Sequence, residues 1–347
     1  MSEKYFIASN SADGFCSYYA SAFESSKFSS IYVIKGGPGT GKSFFMKEVA
    51  RRAEERGMSV RYIYCSSDPD SLDAIIIPEM ALAILDGTHP HIYEPRLVGT
   101  VESILDFGAF LNTDMLKKSR KTIEIITSQK QRGFERLYRY LAAYRELCEN
   151  VYSLVKPCVK IEKIRNYVKR FTQNMESGTG REENLLVRAI GMKGFSSLDT
   201  YFQNATVYYA INDYFDTAHI MMDEIHKAFG KMDVDMRISN NPIIKNNIDA
   251  LCATANGLTF EISNTDTDSA RVINMKRFLD LDHIASIRHE YRTLLHAREE
   301  IMALALAELE NIKKYHFILE EIYGSAMDFE AKEEHLNNFC NKIFENN

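Results

Sequence analysis

The sequence predicts an α/β fold: a P-loop NTPase-type parallel sheet with long helical segments, duplicated as two tandem units. Three observations carry that prediction. A β-branched and aromatic run, Ile31-Tyr-Val-Ile, feeds a glycine loop that opens an amphipathic helix. Two long stretches, 114–155 and 284–323, keep apolar residues at helical spacing. Patterns in the first half also return in the second at a nearly constant offset.

The elements follow in order. Tyr5-Phe-Ile-Ala reads as a first strand, followed by Gly14-Phe15. Ile31-Tyr-Val-Ile is the strand that delivers Gly36-Gly37-Pro38-Gly39-Thr40-Gly41-Lys42-Ser43, a complete Gly-x-x-x-x-Gly-Lys-Ser (Walker A) motif. Glycines let the backbone close into a nest of inward N–H groups, and the helix that follows adds its positive N-terminal dipole. Lys42 is expected to reach the β- and γ-phosphates, and the Ser43 hydroxyl to ligate Mg²⁺. Phe45, Met46, Val49 and Ala53 line one side of that helix. The implied ligands are ATP and Mg²⁺; adenine is the commoner base, and no Asn-Lys-x-Asp guanine signature occurs.

The strand Val60-Arg-Tyr-Ile-Tyr-Cys65 leads into Ser66-Ser-Asp-Pro-Asp-Ser-Leu-Asp73, expected on the same edge of the sheet. Asp68 has the form of a helix N-cap with Pro69 at the first helical position. The other reading makes Asp68, Asp70 or Asp73 a ligand for metal water, substrate or the attacking group, with Asp68 put forward as catalytic. Ala81-Leu-Ala-Ile-Leu-Asp86 is an apolar strand ending in an acid, placed where a second acid holds the Mg²⁺ water shell; an Asp-Gly turn is the plainer alternative. Hydrolytic enzymes of the additional-strand P-loop class follow that acid with a Glu, whereas here Gly87 follows. Hydrolysis is then slow, or the base lies elsewhere, with Glu79 a possible substitute. His89 and His91 flank a proline; two histidines without a third ligand make a poor metal site.

Ile123, Ile126, Phe134, Leu137, Leu141 and Val151 mark the first long helix, which Pro157 breaks before a second helix over 159–173. Ile287, Tyr291, Leu294, Ile301, Leu309, Ile312 and Leu319 repeat the arrangement, which Gly324 ends before a last helix. Such stripes serve as interaction arms or, more commonly, pack on the sheet or on each other.

The duplication pairs Tyr5-Phe-Ile-Ala with Leu185-Leu-Val-Arg, Gly14-Phe15 with Gly194-Phe195, and Ile31-Tyr-Val-Ile with Val207-Tyr-Tyr-Ala-Ile211. Met46 and Glu48 answer to Met222 and Glu224, and Glu149-Asn-Val-Tyr152 to Glu320-Glu-Ile-Tyr323. A polar stretch at 176–183 divides a phosphate-loop unit, 1–177, from a degenerate one, 184–347. Asn212-Asp-Tyr-Phe-Asp-Thr-Ala-His219 stands in the loop position of the second unit, with Ala218 for Lys42 and His219 for Ser43. Without glycine or lysine, and with Asp213 and Asp216 repelling phosphate, it is expected to bind no ATP.

A chain of 347 residues accommodates two domains, and its 45% hydrophobic and 26% charged content is that of a soluble globular protein. The net charge of −6 argues against a broad nucleic-acid or anionic-membrane surface. Six cysteines with no Cys-x-x-Cys pair read as buried thiols in a reducing cytosol. The first residues lack the apolar core of a signal peptide, and no apolar run reaches membrane-spanning length, so a cytoplasmic protein is expected.

Taken with Lys35-Gly-Gly-Pro-Gly-Thr-Gly-Lys-Ser43, Cys65-Ser-Ser-Asp-Pro-Asp-Ser-Leu-Asp73, Ile77-Pro-Glu79 and Ala83-Ile-Leu-Asp-Gly87, the first hundred residues resemble a family of bacterial two-repeat P-loop ATP-binding proteins. Its members are known mainly as ATPases of undefined cellular role. The resemblance implies nucleotide binding by 36–43 and a ligand-side position for the acidic loop at 68–73. Both halves generally carry a phosphate loop in that family, and this chain departs from the pattern at 212–219. Three functional readings follow. The first is a Mg²⁺-dependent ATPase of weak or regulated activity acting on an unknown protein partner. The second is a kinase for a small-molecule acceptor, with an Asp of 68–73 as base. The third is a protein holding ATP as a structural ligand.

Overall fold

Two six-stranded sheets, one from each half of the chain, share a single strand order. The computed structural model describes residues 2–90, 92–173, 175–264 and 270–345. In the first half β1 (Glu3–Tyr5), the hairpin β2 (Ala8–Ser11) and β3 (Gly14–Ser17), and α1 (Tyr19–Ala22) lead to β4 (Ser30–Lys35) and α2 (Lys42–Glu54). β5 (Arg61–Tyr64), β6 (Leu72–Ile77), β7 (Leu82–Asp86) and β8 (Glu102–Asp106) complete a sheet ordered β1-β5-β6-β7-β4-β8. Helices α3 (Thr113–Lys118), α4 (Arg120–Val155) and α5 (Ile161–Thr172) follow.

The second half repeats the plan. β9 (Glu182–Asn184), the hairpin β10 (Arg188–Gly191) and β11 (Gly194–Ser197), and α6 (Thr200–Gln203) precede β12 (Val207–Asn212) and α7 (Ala218–Gly230). β13 (Met236–Asn240), β14 (Ile248–Ala253), β15 (Leu258–Ile262) and β16 (Arg271–Asn274) give the order β9-β13-β14-β15-β12-β16. The long α8 (Leu281–Ser325) and α9 (Phe329–Glu345) end the chain.

The expectation of a parallel sheet needs correction, because β6 runs antiparallel to β5 and β7, and β14 to β13 and β15. The cause is local. Asp68 and Pro69 do not start a helix; they form a turn in which the Ser71 N–H donates to Asp68 O at 2.8 Å and the Ser71 hydroxyl to Asp68 Oδ2 at 2.7 Å. A connection that short cannot return the chain for a parallel strand, so β5 and β6 pair antiparallel. β7 and β8 still flank β4 in parallel, with Ile34 opposite Asp86 and Lys35 opposite Asp106. Glu79 sits at the other end of β7, where it accepts from the Ser59 N–H at 2.9 Å and hydroxyl at 2.7 Å. It is therefore no substitute for a base beside Asp86.

Phe6 and Leu186, equivalent residues of the two halves, exchange reciprocal backbone hydrogen bonds of 2.8 Å. That pairing marks a pseudo-twofold axis between the halves. Tyr5, Ile7, Ile31, Val33 and Ile63 of the first half join Leu185, Val187, Tyr201 and Ala250 of the second in one buried cluster across it.

The last helix of each half docks on the other half. Phe339, Leu336 and Ile343 of α9 pack with Phe45, Met46 and Val49 of α2. Ile164 and Val168 of α5 pack with Met221, Ile225 and Phe229 of α7. Matching bridges, Leu111 to Met327 and Val159 to Leu279, tie the two docking points. They set an offset of 168 residues between the helical parts of the halves, three short of the echo between Glu149-Asn-Val-Tyr152 and Glu320-Glu-Ile-Tyr323.

Helices α4 and α8 run antiparallel against each other, so the apolar stripes of both face a partner helix. Leu137, Leu141, Ala305, Leu309 and Ile312 are buried there, and Ala12, Ile190, Met192 and Ile243 from and beneath the hairpins join them. At the crossing a Cβ on Gly133 would come 2.8 Å from Ile312 Cγ1, so only glycine permits this approach. Arg136 pairs with Glu308 at 2.7 Å beside it. Cys158 and Cys340 are buried, while the other four thiols are half-buried, and all six are unpaired. Among the described residues no helix is long and apolar enough to cross a membrane.

Candidate functional site

Ile31, Val33 and Ile34 bury β4 on both faces, which fixes where the strand releases the chain at Lys35. Gly39 and Gly41 then adopt φ of 71° and 75°, a region open to glycine and costly for other residues. α2 begins at Lys42 with no side chain capping its N-terminus. Its first-turn N–H groups therefore carry the full positive end of the helix dipole towards the loop. Thr40 is fully buried and braces the loop by donating its hydroxyl to Gly37 O at 2.9 Å.

Lys42 folds back over the loop, donating to Gly36 O at 3.1 Å and Gly37 O at 2.7 Å. Its ammonium also lies 3.5 Å from Asp86 Oδ2. Asp86 reaches this place because β7 is the parallel neighbour of β4, and its other oxygen accepts from the Thr88 N–H at 2.8 Å. Ser43 Oγ accepts from the Leu72 N–H at 2.9 Å and keeps its own proton free to donate. Ser43 and Asp86 offer one hydroxyl and one carboxylate oxygen. Two hard oxygens fit Mg²⁺ that takes its remaining ligands from phosphates and water. Among the described residues no group of three or more His, Cys, Asp or Glu could hold a metal unaided.

A cavity of about 970 Å³ opens over the loop and is lined by every residue from Gly36 to Ser43, with Asp68, Asp73 and Asp86. The residues singled out in the sequence are thus brought together. Asp68 is committed to the turn and to Lys193 of the β10–β11 hairpin, 3.1 Å away. Burial raises its pKa, but the Ser71 hydroxyl and the Lys193 ammonium outweigh that and hold it below the usual carboxylate range. Such an acid is a weak base. Asp70 is exposed and also pairs with Lys193, outside the cavity wall. His89 is exposed at the rim, and His91 lies outside the described residues.

The roof of the cavity is the part that sequence reasoning missed. Lys130 and Glu135 of α4 and His316, Glu320 and Tyr323 of α8 line it. Lys130 Nζ lies 3.0 Å from His316 Nδ1, and His316 Nε2 lies 3.4 Å from Glu320 Oε1. Burial pulls the Lys130 ammonium below its usual range; Glu320 opposes this, and Lys42 reinforces it by repulsion. The roof touches the loop itself, since a Cβ on Gly39 would come 2.4 Å from Glu320 O. Lys332 of α9, only 4% exposed, sets its ammonium where a Cβ on Gly41 would lie 2.1 Å away, over the Phe44 and Phe329 rings. Charged positions on a long helix resemble a solvated face in sequence, which is why none of these stood out.

The equivalent place in the second half is filled by the protein. Ala218 opens α7 as Lys42 opens α2, and Ile262 opposes Ile211 as Asp86 opposes Ile34. Asp213 Oδ1 accepts from the N–H groups of Thr217 and Ala218, both at 2.9 Å, so a carboxylate caps the helix whose counterpart is bare. Phe215 and Asp216 take φ of 58° and 53° without glycine. Tyr214 and Phe215 pack with Cys158, Leu279 and Ile284. Arg298 holds Asp216 with contacts of 3.1 to 3.2 Å, and Tyr291 donates to it at 2.7 Å. Burial lowers the pKa of His219, which stands in the place of Ser43.

Residues 16–86 match the family model described as Nephrocystin 3, N-terminal. The matched span runs from β3 through the glycine loop and α2 to Asp86, and it includes neither the roof helices nor the second half. No curated protein and no solved structure matches the chain. The likeness to bacterial two-repeat ATP-binding proteins therefore rests on its sequence motifs alone.

Proposed function

We propose that this chain is an ATP-binding protein of the P-loop type, hydrolysing ATP slowly and coupling nucleotide state to a partner through the α4–α8 pair. One contrast carries the reading. In two copies of the same strand–loop–helix unit, the helix whose loop contains no acid is the one with the glycine loop, Lys42 and Asp86. The other helix supplies its own carboxylate, Asp213, to the same backbone groups. An uncapped helix end beside a lysine, facing a cavity, is built for an anion.

In this reading the loop N–H groups and Lys42 hold the β- and γ-phosphates, with Lys42 released from the Gly36 and Gly37 carbonyls. Ser43 and Asp86 would hold Mg²⁺, which when bound offsets the charge of the phosphate oxygens. Gly87 follows Asp86 and Glu79 is out of reach, so the carboxylate next to Asp86 is Asp73, which continues the β6–β7 register opposite it and is buried in the cavity wall. Of the further carboxylates of the cavity, Glu135 and Glu320 sit on the roof, so a base drawn from them makes turnover depend on the position of the helices. The depressed Asp68 is a poor base for a phosphotransferase, which leaves the buried Asp73 as the acid of that loop a kinase would need, and the kinase reading ranks second.

The test is nucleotide titration. The natural chain should bind one Mg·ATP, not two, and Lys42→Ala should lower the affinity on the order of a hundredfold or more with unchanged circular dichroism. Asp86→Asn should weaken Mg²⁺-dependent binding much more than metal-free binding. Unchanged affinity in Lys42→Ala, or a stoichiometry near two, would remove the proposal.

A further inference from the structure

The second half shows where an anion sits in this architecture, because it carries one of its own. Asp216 occupies the loop, and Arg298 of α8 reaches it from the helical pair with three nitrogen–oxygen contacts of 3.1 to 3.2 Å. The offset of 168 that relates the helical parts of the halves carries Arg298 onto Lys130 and His316 onto Cys148. Contacts obey the same relation. Lys130 meets His316 at 3.0 Å on one side of the axis, and Arg298 meets Cys148 at 3.7 Å on the other. The two cations are therefore equivalent in position, each reaching from the helical pair towards the loop of its own half.

They differ in what they meet. Arg298 finds a carboxylate built into the loop, whereas the first-half loop, Gly36-Gly37-Pro38-Gly39-Thr40-Gly41, contains no acid. Lys130 lines the cavity, and its ammonium lies 3.0 Å from the imidazole of His316. A second lysine close enough to Lys42 for mutual repulsion is unfavourable in an empty cavity and favourable around a polyanion.

We propose that Lys130 is a phosphate-contacting residue of the nucleotide site, standing to the terminal phosphate of a bound triphosphate as Arg298 stands to Asp216. The inference rests on the ATP-binding reading of the glycine loop. It adds a mechanism for coupling: the terminal phosphate tethers α4, which is half of the helical pair, and its loss frees Lys130. A diphosphate held by the loop alone leaves the roof without that tether. The pair then reports triphosphate against diphosphate.

The experiment compares Mg·ATP and Mg·ADP affinities by calorimetry on the full chain, for the natural protein, Lys130→Met and Lys130→Arg. Lys130→Met should weaken ATP on the order of ten- to a hundredfold, as expected for losing a hydrogen bond between charged groups, and change ADP less than about twofold. Lys130→Arg, which restores the residue type found at 298, should keep ATP affinity within a few-fold. Equal weakening of ATP and ADP, or an unchanged ratio in Lys130→Met, overturns the inference while leaving the loop as the nucleotide site. Should Lys130→Met fail to fold, the decision passes to Lys130→Arg against Lys130→Gln, with the same ratio as readout. A natural chain that binds neither nucleotide overturns the ATP-binding reading and this inference together.

Discussion

At the scale of single residues, individual side chains decide chemistry that the shared architecture leaves open. Glu102 is a clear case on the first-half sheet. It is fully buried at the start of β8, where it accepts from the Tyr93 hydroxyl at 2.6 Å, the Ser25 hydroxyl at 2.8 Å and the Leu97 N–H at 2.5 Å, with the Arg96 N–H a fourth donor. Burial raises its pKa, but these donors reverse the effect and bring it down to about 2 from 4.5. A depressed acid contributes stability that is complete above its unfolded pKa and is lost as pH falls towards the folded value. Stability should therefore decline between pH 4.5 and about 2, by about 3 kcal/mol from this residue. Glu102→Gln should lose a similar amount at neutral pH and flatten that limb, measured by urea unfolding across pH. A limb that keeps its full slope in the variant would show that Glu102 does not set it. Residues of this kind are illegible in sequence, because the donors of Glu102 come from loops at 25 and 93–97 that no local pattern ties to β8. Lys42 and Ser43 were legible for the opposite reason: their chemistry needs contiguous residues, so the pattern is written in one stretch.

At the scale of elements, strand and helix identities followed from local periodicity, while helix destinations did not. The strand over 31–34, the helix after Lys42 and both long helices lie where apolar spacing put them. What the spacing could not tell was which surface each stripe meets. Phe339 of α9 stacks edge-on against Tyr32 of β4 at 4.8 Å and lies 5.2 Å from Phe45 of α2, although some three hundred residues separate them. Its counterpart under the same offset, Phe171 of α5, lies 5.0 Å from Tyr209 and 4.8 Å from Phe260. Each aromatic ring thus closes the sheet of the half to which it does not belong. Phe339→Ala should cost about 3 kcal/mol in unfolding free energy, as expected for deleting a large buried side chain. It should also weaken nucleotide binding, since α9 carries Lys332 to Gly41. A loss below about 1 kcal/mol would mean that α9 is only loosely docked. The turn at 68–71 is the element misread from sequence: Asp and Pro favour a helix start and a tight turn alike, and Ser71 decides by bonding back to Asp68.

At the scale of the whole molecule, the exchange of α5 and α9 makes each half incomplete without the other. The face of α2 in the first half is covered by Leu336, Phe339, Cys340 and Ile343, all from the end of the second. The roof over the glycine loop is half α4 and half α8, and Lys332 comes from α9. The tips of the hairpins cross as well, since Met192 N–H donates to Ser67 O at 2.9 Å and Ala12 N–H to Ile243 O at 3.1 Å. A fragment covering 1–177 would expose the apolar side of α2 and the seam of α4 to water, with Ile164 and Val168 of α5 left without their sheet. Large apolar faces of that kind do not stay monomeric and ordered. The full chain should therefore unfold in one transition, with coincident curves from far-UV circular dichroism and from tyrosine fluorescence, tryptophan being absent. Saturating Mg·ATP at a hundred times its dissociation constant should shift the whole curve by about 2.7 kcal/mol rather than one part of it. The fragment 1–177 alone should show neither a cooperative transition nor ATP binding, and mixing it with 178–347 during refolding should restore both. A fragment that folds by itself and binds ATP with the affinity of the full chain would show that the second half is an appendage rather than part of the site.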